Sequence, residues 1–406
     1  MRQTSGLPIC AVLALGLSVV SASAQSKYDV GATDAEVKIG QTMPYSGPAS
    51  VLGIEGRVQA AYFEMVNDKG GINGRKVNFI SLDDAYSPPK TFEQTRRLVE
   101  QDGVLATMGS LGTPTNVAVR KYLNQKKVPQ LLVLSSSAQW NDPSEYPYST
   151  SYYLAADQEA ASFAKYLKDK MPNAKIAVLY QNDDYGKDWL RGFKEGLGKD
   201  AEERIVKELS YEATDPTVDS QVLAMKAAGA DVFIAAATTK FAAMSIRKIS
   251  EMQWKPNRFL AAGAISSLKA ILDPEIAKGI VSLSFIKDPN DPAVENEPDG
   301  KEYFAFMKKY APNDNAKDMS AVLGYTVAEL SAYILEKSGN DLTRDNVLKV
   351  ATTLNNPPVH LLQDGVIIST SPENYLPVTT ARLVEFDGTA WIPFGDPVAI
   401  RSSKAE

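Results

Sequence analysis

The sequence predicts an α/β protein built from two lobes, each with a doubly wound parallel sheet. Short apolar runs with the composition of β-strands alternate with longer segments of helical period, and this alternation is typical of parallel sheets covered by helices. An aromatic and proline-rich stretch at 141–153 divides the strands into two series. The length of 406 residues suffices for two or three domains, at roughly 150 residues each.

Four strand–helix cycles form the first series. Its strands are expected at 37–42, 76–84, 103–109 and 128–134. The helix after the first strand carries apolar residues at the spacing of one helical face, namely Val58, Ala61, Tyr62, Met65 and Val66. Such a face packs against a sheet, and Gly70-Gly71 marks the end of this helix.

The second series repeats this alternation. Its strands are expected at 174–181, 203–211, 230–237 and 257–263, and its helices near 184–199, 216–228 and 240–252. Helical period returns later in the chain and predicts helices at 302–310, 319–338 and 343–354. The tail predicts a strand at 365–370 and a hairpin over 379–394 that turns at Asp387-Gly388.

The composition excludes several classes of function. Lys and Arg number 43 against 49 Asp and Glu, a net charge of −6 without long runs, so no basic field is available for a nucleic acid. The single Cys and single His rule out thiolate catalysis, disulfides and zinc sites built from Cys and His. With 44% hydrophobic and 23% charged residues, the chain has the composition of a globular protein.

The first 24 residues have the features of a secretory signal peptide. Arg2 precedes an apolar stretch over 7–20, and Ala22-Ser23-Ala24 forms a small-residue cleavage site before Gln25. The apolar stretch is short for a membrane span, although an N-terminal membrane anchor is the alternative. We expect cleavage before Gln25 and a soluble mature product without cysteine, because Cys10 lies in the removed segment.

Three loops at the carboxyl ends of first-series strands are candidates for ligand binding. They span 44–53, 109–116 and 134–142 and are rich in Gly, Ser and Thr. Such loops lead into helix N-termini, where backbone N–H groups and hydroxyls bind anions, although helix capping alone can explain each loop. Because neither G-x-G-x-x-G nor G-x-x-x-x-G-K-[ST] occurs, no nucleotide is expected, and we expect no cofactor.

Several strings resemble one known family. They are GGINGRKVNFISLDDAYSPPKT at 70–91, Ser46-Gly47-Pro48, GTPTN at 112–116 and NDDYGKDWLRGF at 182–193. In this order they resemble the periplasmic binding proteins of the leucine/isoleucine/valine type, which serve ABC importers. The similarity runs over nearly all of the mature chain, and the first string is specific to that family.

The resemblance implies two doubly wound parallel-sheet lobes joined by three crossovers. Lobe one would comprise residues 25–152 with 285–362, and lobe two would comprise 153–284 with 363–406. A ligand would bind between the lobes, which close on it by a hinge rotation.

Carried over position by position, the resemblance implies ligand contacts from both lobes. Hydroxyls and backbone N–H groups of the first lobe would hold a carboxylate, and Tyr185 would close over the ligand. The expected ligand-binding residues are Tyr45, Leu111, Gly112, Thr113, Ser135, Ser136, Ala138, Tyr185, Thr238 and Gly263. For Tyr185, a surface ring packed on its own helix is the alternative.

Two departures from the family pattern bear on the ligand. Members that bind α-amino acids place a Glu after the strand at 257–261, where this chain has Ala262-Gly263-Ala264, and a Tyr where it has Thr238. A desolvated ammonium needs an anionic partner. The expected ligand is therefore a carboxylate without an amino group and with an aromatic or aliphatic body, and a branched-chain or other amino acid is the alternative.

Two other classes of function remain as alternatives. Asp83-Asp84 and Asp183-Asp184 are carboxylate pairs at strand ends, where a hydrolase could place a metal or an acid/base pair, but turns and helix caps also explain both pairs. His360 is more simply a structural histidine than a catalyst. A ligand-sensing subunit for a separate receptor chain would share the same fold.

The sequence thus predicts a periplasmic solute-binding protein and no enzyme activity. It would capture a small organic carboxylate between two closing lobes and present it to ABC permease subunits in the inner membrane. We expect a monomer without a catalytic residue, a metal site or a nucleic-acid partner.

Overall fold

The structure is a computed structural model that describes residues 27–400. The chain folds into two α/β lobes with separate sheets, which confirms the predicted fold class. The signal peptide expected at residues 1–24 lies outside the described residues. Within the described part of the chain, no helix has both the length and the hydropathy needed to cross a membrane.

The sheet of the first lobe has five strands, all parallel to their neighbours. The strands in this part of the chain are β1 (Lys27–Tyr28), β2 (Glu36–Met43), β3 (Lys76–Asp83), β4 (Ala106–Met108), β5 (Gln130–Val133) and β6 (Ser149–Ser151). The order in the sheet is β3-β2-β4-β5-β6. The order reverses between β2 and β4, and in open α/β sheets ligands bind at the carboxyl ends of the strands beside such a switch point.

Three helices connect the strands of the first sheet. They are α1 (Ile54–Asp68), α2 (Pro88–Arg97) and α3 (Thr113–Gln125), and a 3-10 turn over Ser50–Gly53 leads into α1. Of the apolar residues that predict α1, Val58, Ala61, Tyr62 and Met65 are buried and Val66 is partly buried, because their spacing matches the helical period. Helices α2 and α3 each have a proline in their first two positions, where its fixed φ suits the first turn.

The second lobe repeats the alternation of strands and helices. Its strands are β7 (Ile176–Gln181), β8 (Ile205–Tyr211), β9 (Val232–Ala236), β10 (Asn257–Leu260) and β11 (Val281–Ser284). Its helices are α4 (Ala156–Lys170), α5 (Asp184–Leu197), α6 (Ala201–Arg204), α7 (Asp219–Ala227), α8 (Thr239–Glu251), α9 (Ala262–Ile265), α10 (Leu268–Ile271) and α11 (Pro274–Ala277). Strands β9 and β11 are buried throughout, as expected for a sheet with helices on both faces.

The last part of the chain contributes to both lobes. It holds α12 (Pro292–Asn296), α13 (Pro298–Tyr310), α14 (Met319–Ser338), β12 (Asp341–Leu342), α15 (Arg344–Ala351), β13 (Thr380–Phe386) and β14 (Trp391–Ala399). In the first lobe α14 packs on α1, where the rings of Tyr62 and Tyr325 meet edge to face at 5.2 Å. The hairpin of β13 and β14 joins the second sheet antiparallel to β11, in the order β14-β13-β11-β10-β9-β7-β8.

Several local predictions differ from the structure, and one is the strand predicted at 257–263, which ends at Leu260 and is followed by α9 from Ala262. The segment 365–370, predicted as a strand, makes only isolated bridges, from Ile368 to Val378 and from Ser369 to Asn355. Its partners lie in two different loops, so no continuous ladder forms. The stretch 141–153, expected as a connection, contains β6, whose Ser and Thr residues lack an apolar alternation that would mark it as a strand.

The segments that are expected to connect the lobes lie side by side. The Phe285 ring contacts the rings of Tyr152 and Tyr153, at 5.7 and 5.5 Å between centroids. The Gln363 N–H donates to the Phe285 carbonyl oxygen at 2.9 Å. These contacts bring together residues from all three expected crossover regions. The lobe boundaries given above stay a prediction.

Candidate functional site

A cavity between the two lobes encloses about 520 Å³ of space, part of it open to solvent. Its first-lobe wall residues are Leu52, Glu55, Tyr86, Leu111, Gly112, Thr113, Leu134, Ser135, Ser136 and Leu323. Its second-lobe wall residues are Tyr153, Tyr185, Ala237, Thr238, Gly263 and Ser266.

Most of the site residues expected from the sequence lie in this wall. They are Leu111, Gly112, Thr113, Ser135, Ser136, Tyr185, Thr238 and Gly263. They come together because the loops that carry them follow the carboxyl ends of strands in both sheets.

Tyr45 and Ala138 do not line the cavity, and we remove both from the candidate site. Tyr45 Oη lies 2.5 Å from Ser81 Oγ, on β3. The Ala138 backbone N–H donates to Asp188 Oδ2 of the second lobe at 3.0 Å, and the neighbouring Ser137 Oγ donates to the same oxygen at 2.5 Å. Ala138 therefore forms a contact between the lobes.

Hydroxyl groups gather at the start of α3. Thr113 Oγ1 and Ser135 Oγ are 2.5 Å apart, and the Trp140 indole N–H donates to Ser135 Oγ at 2.7 Å. Because Ser135 Oγ accepts from the indole, its own proton can be donated to Thr113 or to a ligand. The N-terminus of α3 also favours negative charge. This part of the wall is suited to a carboxylate.

Gly112 shapes the turn that leads into α3. Its φ of 103° lies in the region that favours glycine. A Cβ at this position would lie 2.5 Å from Thr115 Oγ1 and 2.6 Å from Tyr86 Cε2. A side chain here would therefore displace the Tyr86 ring, which is itself part of the cavity wall.

The loop after β3 positions Tyr86 through two carboxylates. Ala85 and Tyr86 have φ values of 53° and 57°, which residues other than glycine rarely adopt. Asp83 Oδ1 accepts the Ala85 N–H at 3.0 Å, and Asp84 Oδ1 accepts the Tyr86 N–H at 2.9 Å. Asp83 and Asp84 therefore both stabilise a turn, which was the alternative to a hydrolase site in the sequence analysis.

Tyr185 lies in the first turn of α5, where Asp183 is the N-cap and accepts the Gly186 N–H at 3.0 Å. The Tyr185 residue is 8% exposed, so it is not a surface ring. Its hydroxyl has no hydrogen-bond partner among the described residues, and burial raises the pKa of this hydroxyl well above its ordinary value. A buried donor without a partner is costly, so a ligand that accepts this hydrogen bond would relieve that cost.

Glu55 is a wall residue that the sequence analysis does not include. It is 2% exposed, and its Oε2 has no hydrogen-bond partner among the described residues. Burial raises the pKa of the Glu55 carboxyl well above its ordinary value, and a hydrogen bond with Ser320 opposes this effect. Glu55 precedes Val58 by three residues and so continues the buried face of α1. An acid on a predicted apolar face is the signal that could have indicated it.

The other wall residues that the sequence analysis missed are mostly apolar or aromatic. They are Leu52, Tyr86, Leu134, Tyr153, Ala237, Ser266 and Leu323. Leu52 and Leu134 belong to loops that were already candidates. Leu323 comes from α14, and only the packing of α14 on α1 brings it to the cavity.

His360 lies apart from the cavity wall. Its Nδ1 bonds Glu329 Oε1, and its backbone N–H donates to Glu329 Oε2 at 2.8 Å. The side-chain hydrogen bond raises the pKa of His360 to about 9, against the effect of partial burial. Its contacts are those of a structural histidine. Among residues 27–400, no group of three His, Cys, Asp or Glu side chains is placed to hold a metal ion.

Two α/β lobes around a shared cavity define a two-lobe ligand-binding protein. The chain matches the periplasmic binding protein family over residues 36–389 and belongs to that family. It is similar to Leu/Ile/Val-binding protein homolog 7 of Brucella abortus (strain 2308), at 26% identity over 287 residues, which are 68% of this chain and 71% of the relative.

Solved structures share the fold. A branched chain amino acid ABC transporter protein from Thermus thermophilus with bound valine has a TM-score of 0.79 at 16% identity, over 91% of this chain and 97% of that chain. A solute binding protein from Rhodopseudomonas palustris BisB5 in complex with 3,4-dihydroxy benzoic acid has a TM-score of 0.76 at 20% identity, over 92% and 100%. At these identities the similarity establishes the type I periplasmic binding protein fold.

Proposed function

We propose that the chain is the extracytoplasmic solute-binding component of an ABC importer and that it captures a small organic carboxylate with an aromatic or aliphatic body. The observation that carries this proposal is the cavity between the lobes, with the hydroxyls of Thr113 and Ser135 at the start of α3. The ligand-binding residues are the eight expected residues that line the cavity.

The composition of the wall supports this ligand class. Hydroxyls and the N-terminus of α3 can bind a carboxylate without a formal positive charge. Leu52, Leu111 and Leu323 offer apolar surface for the ligand body, and Tyr86 and Tyr153 add aromatic surface. Sites of this kind take affinity from apolar burial and orientation from a few polar groups.

An amino acid is a second candidate, because Glu55 places a carboxyl group in the wall. The segment Ala262-Gly263-Ala264 and Thr238 supply none. The related structures support both candidates, since one holds valine and another holds 3,4-dihydroxy benzoic acid.

Replacing Thr113 by Val tests the carboxylate position. T113V keeps the shape of the side chain and removes the hydroxyl beside Ser135. Hydrogen bonds to charged groups contribute about 1.5–3 kcal/mol, so we expect a loss of affinity of about tenfold or more for the best ligand in a calorimetric screen of small carboxylates and amino acids. T353V, at an exposed threonine, serves as the matched control. Unchanged affinity in T113V would remove the carboxylate from this part of the wall.

We also propose that the protein is exported, works as a monomer in the periplasm and delivers its ligand to permease subunits in the inner membrane. Ala22-Ser23-Ala24 supports export. N-terminal sequencing of the protein from its native source should begin at Gln25. An intact Met1 in a membrane fraction would contradict cleavage.

A further inference from the structure

Glu55 is a buried acid in the wall of a cavity that is proposed to receive a second carboxylate. It lies in the first turn of α1, which follows β2, and it is 2% exposed. Helix α14 packs against this turn, and an added Cβ at Gly324 would lie 2.5 Å from the Glu55 carbonyl oxygen. The close packing of the two helices keeps bulk water away from this part of the wall.

The surroundings of Glu55 favour its neutral form. Its Oε2 has no hydrogen-bond partner among the described residues. Burial raises the pKa of its carboxyl well above the ordinary value, the negative charge of Asp318 at the start of α14 raises it further, and a hydrogen bond with Ser320 lowers it. Burial and a like charge both disfavour an ionised carboxyl, so Glu55 binds its proton more firmly than an exposed glutamate does.

No positive charge in the described wall of the cavity opposes this effect. None of the wall residues is Lys, Arg or His, and Glu55 is the only acid among them. The nearby cation on α1 is Arg57, whose Nε donates to Asp314 Oδ1 at 2.7 Å and whose side chain is half exposed. The charge of Arg57 is therefore compensated outside the cavity.

The other elements around Glu55 also bring no positive charge to the cavity. Tyr153 of the second lobe interacts with Glu55, and burial raises the pKa of its hydroxyl, so it stays neutral. Strand β3 and helix α13 pack on α1 and carry the acids Asp83, Asp299 and Glu302. The lysines of these elements and of α14 are exposed to solvent, namely Lys76, Lys301, Lys308, Lys309 and Lys337.

A bound carboxylate would add a second negative charge to this enclosed space. The hydroxyls of Thr113 and Ser135 are suited to hold it in its ionised form. They line the same cavity as Glu55, because α1 and α3 follow the neighbouring parallel strands β2 and β4. Two like charges in one site with a low dielectric constant cannot both form easily, so the ligand keeps its charge and Glu55 keeps its proton.

We propose that Glu55 is a proton-binding group of the ligand site, so that the cavity captures a carboxylate together with one proton. This inference rests on the proposed function and adds a proton to what the site binds. Where the ligand-free protein has an ionised Glu55, the proton comes from the solvent on binding. The affinity is then constant at low pH and falls as the pH rises through the pKa of Glu55 in the ligand-free protein.

Calorimetry on the full mature chain between pH 5.5 and 9 tests the proposal. The probes are isovalerate, benzoate and hydrocinnamate, whose carboxyl groups are ionised throughout this range, because carboxyl pKa values lie near about 4. Titrations at pH 8 in phosphate and in Tris, which differ in their enthalpy of ionisation, count the protons taken up. The variants are Glu55→Gln, a neutral isostere, and Glu159→Gln, a control at an equally buried acid that does not line the cavity.

We expect the affinity of the wild type for a probe to fall by up to about tenfold for each pH unit above the pKa of Glu55, as the uptake of one proton requires. E55Q should bind at every pH about as tightly as the wild type does at pH 5.5, and without proton uptake. E159Q should follow the wild type, and thermal unfolding without ligand shows whether each variant is folded.

Three results would contradict the proposal or its basis. A wild-type affinity that is constant over the whole range, or a pH dependence that persists in E55Q, would overturn the role of Glu55 and leave the proposed function standing. An affinity that rises with pH would show that an ionised Glu55 serves binding and would overturn the proposal in the same way. Binding of none of the probes at any pH would instead overturn the proposed ligand class.

Discussion

Burial sets the charge state of several acids in this protein. Glu159 is fully buried, and its Oε1 accepts the Ala262 N–H at 2.6 Å. Burial raises the pKa of Glu159 to about 8, and burial likewise raises the pKa of Asp318 to about 6. The folded state keeps protons that the unfolded chain loses near the ordinary values of 4.5 and 3.8. The free energy of unfolding therefore falls as the pH rises from 4.5 to about 8 because of Glu159, and from 3.8 to about 6 because of Asp318.

The pair of His360 and Glu329 predicts a pH dependence of stability. The hydrogen bond that His360 donates to Glu329 raises the pKa of His360 from 6.5 to about 9, so the folded state holds a proton that the unfolded state releases near 6.5. The extra stability is fully present below pH 6.5 and is lost as the pH rises through about 9. E329Q removes the carboxylate that holds this proton.

Urea denaturation at pH values below 6.5 and above 9 measures this effect. We expect the free energy of unfolding to fall more in the wild type than in E329Q over this range, because Glu159 and Asp318 contribute equally to both. E336Q, at an exposed acid on the same helix, should follow the wild type. Parallel pH profiles for E329Q and the wild type would contradict the prediction.

At the scale of elements, the turn before α3 couples backbone geometry to the cavity. Gly112 combines a positive φ with close approach to Tyr86 and Thr115. Asp84 accepts the Tyr86 N–H and so stabilises the left-handed backbone conformation of Tyr86. The turn and the loop after β3 therefore constrain each other, and strain introduced in one is passed to the wall of the cavity.

Gly112→Ala tests this coupling. The left-handed backbone and the contact at 2.6 Å from Tyr86 Cε2 lead us to expect destabilisation of about 1–3 kcal/mol and a loss of ligand affinity. Gly74→Ala is the matched control, since Gly74 has a φ of 80° with no atom within 4 Å of the added Cβ. Chemical denaturation and calorimetry measure both variants. If G112A binds ligand like G74A, the turn does not shape the cavity.

At the scale of the whole molecule, hydrogen bonds join the lobes on the same side as the cavity. Asp188 of α5 accepts from Ser137 Oγ and from the Ala138 N–H. The Gln139 amide donates to Asp184 Oδ2 at 3.1 Å. These contacts hold the lobes together, and a ligand that touches both lobes would favour the same arrangement.

Asp188→Ala removes two hydrogen bonds between the lobes. We expect the ligand-free variant to have a larger radius of gyration in small-angle scattering than the wild type, and to contract when an excess of ligand is added. Its affinity should fall severalfold, because part of the binding energy must now close the lobes. E195Q, at an exposed acid on the same helix, is the control. An unchanged radius and affinity in D188A would exclude this contact from closure.

Much of the fold follows from the periodicity of the chain. The helix predicted at 319–338 has the bounds of α14, because its apolar residues keep the helical period over its whole length. Two segments were not predicted correctly. Residues 365–370 form isolated bridges where a strand was predicted, and the short polar strand β6 was not predicted. Both depend on partners elsewhere in the chain. The loops that carry Thr113 and Ser135 were predicted from the rule that ligand loops follow strand ends, and the family resemblance then singled out these two residues.

The sequence by itself determined the alternation of strands and helices, the family and the loops that surround the cavity, because periodicity and motifs are local properties of the chain. Only the tertiary structure decided that Ala138 joins the lobes and that Glu55 lines the cavity. The physical reason is that burial and the absence of a partner are properties of packed surroundings. Glu55 lies in an ordinary first helical turn, and only the packing of α14 beside it buries its carboxyl group and raises the pKa of that group.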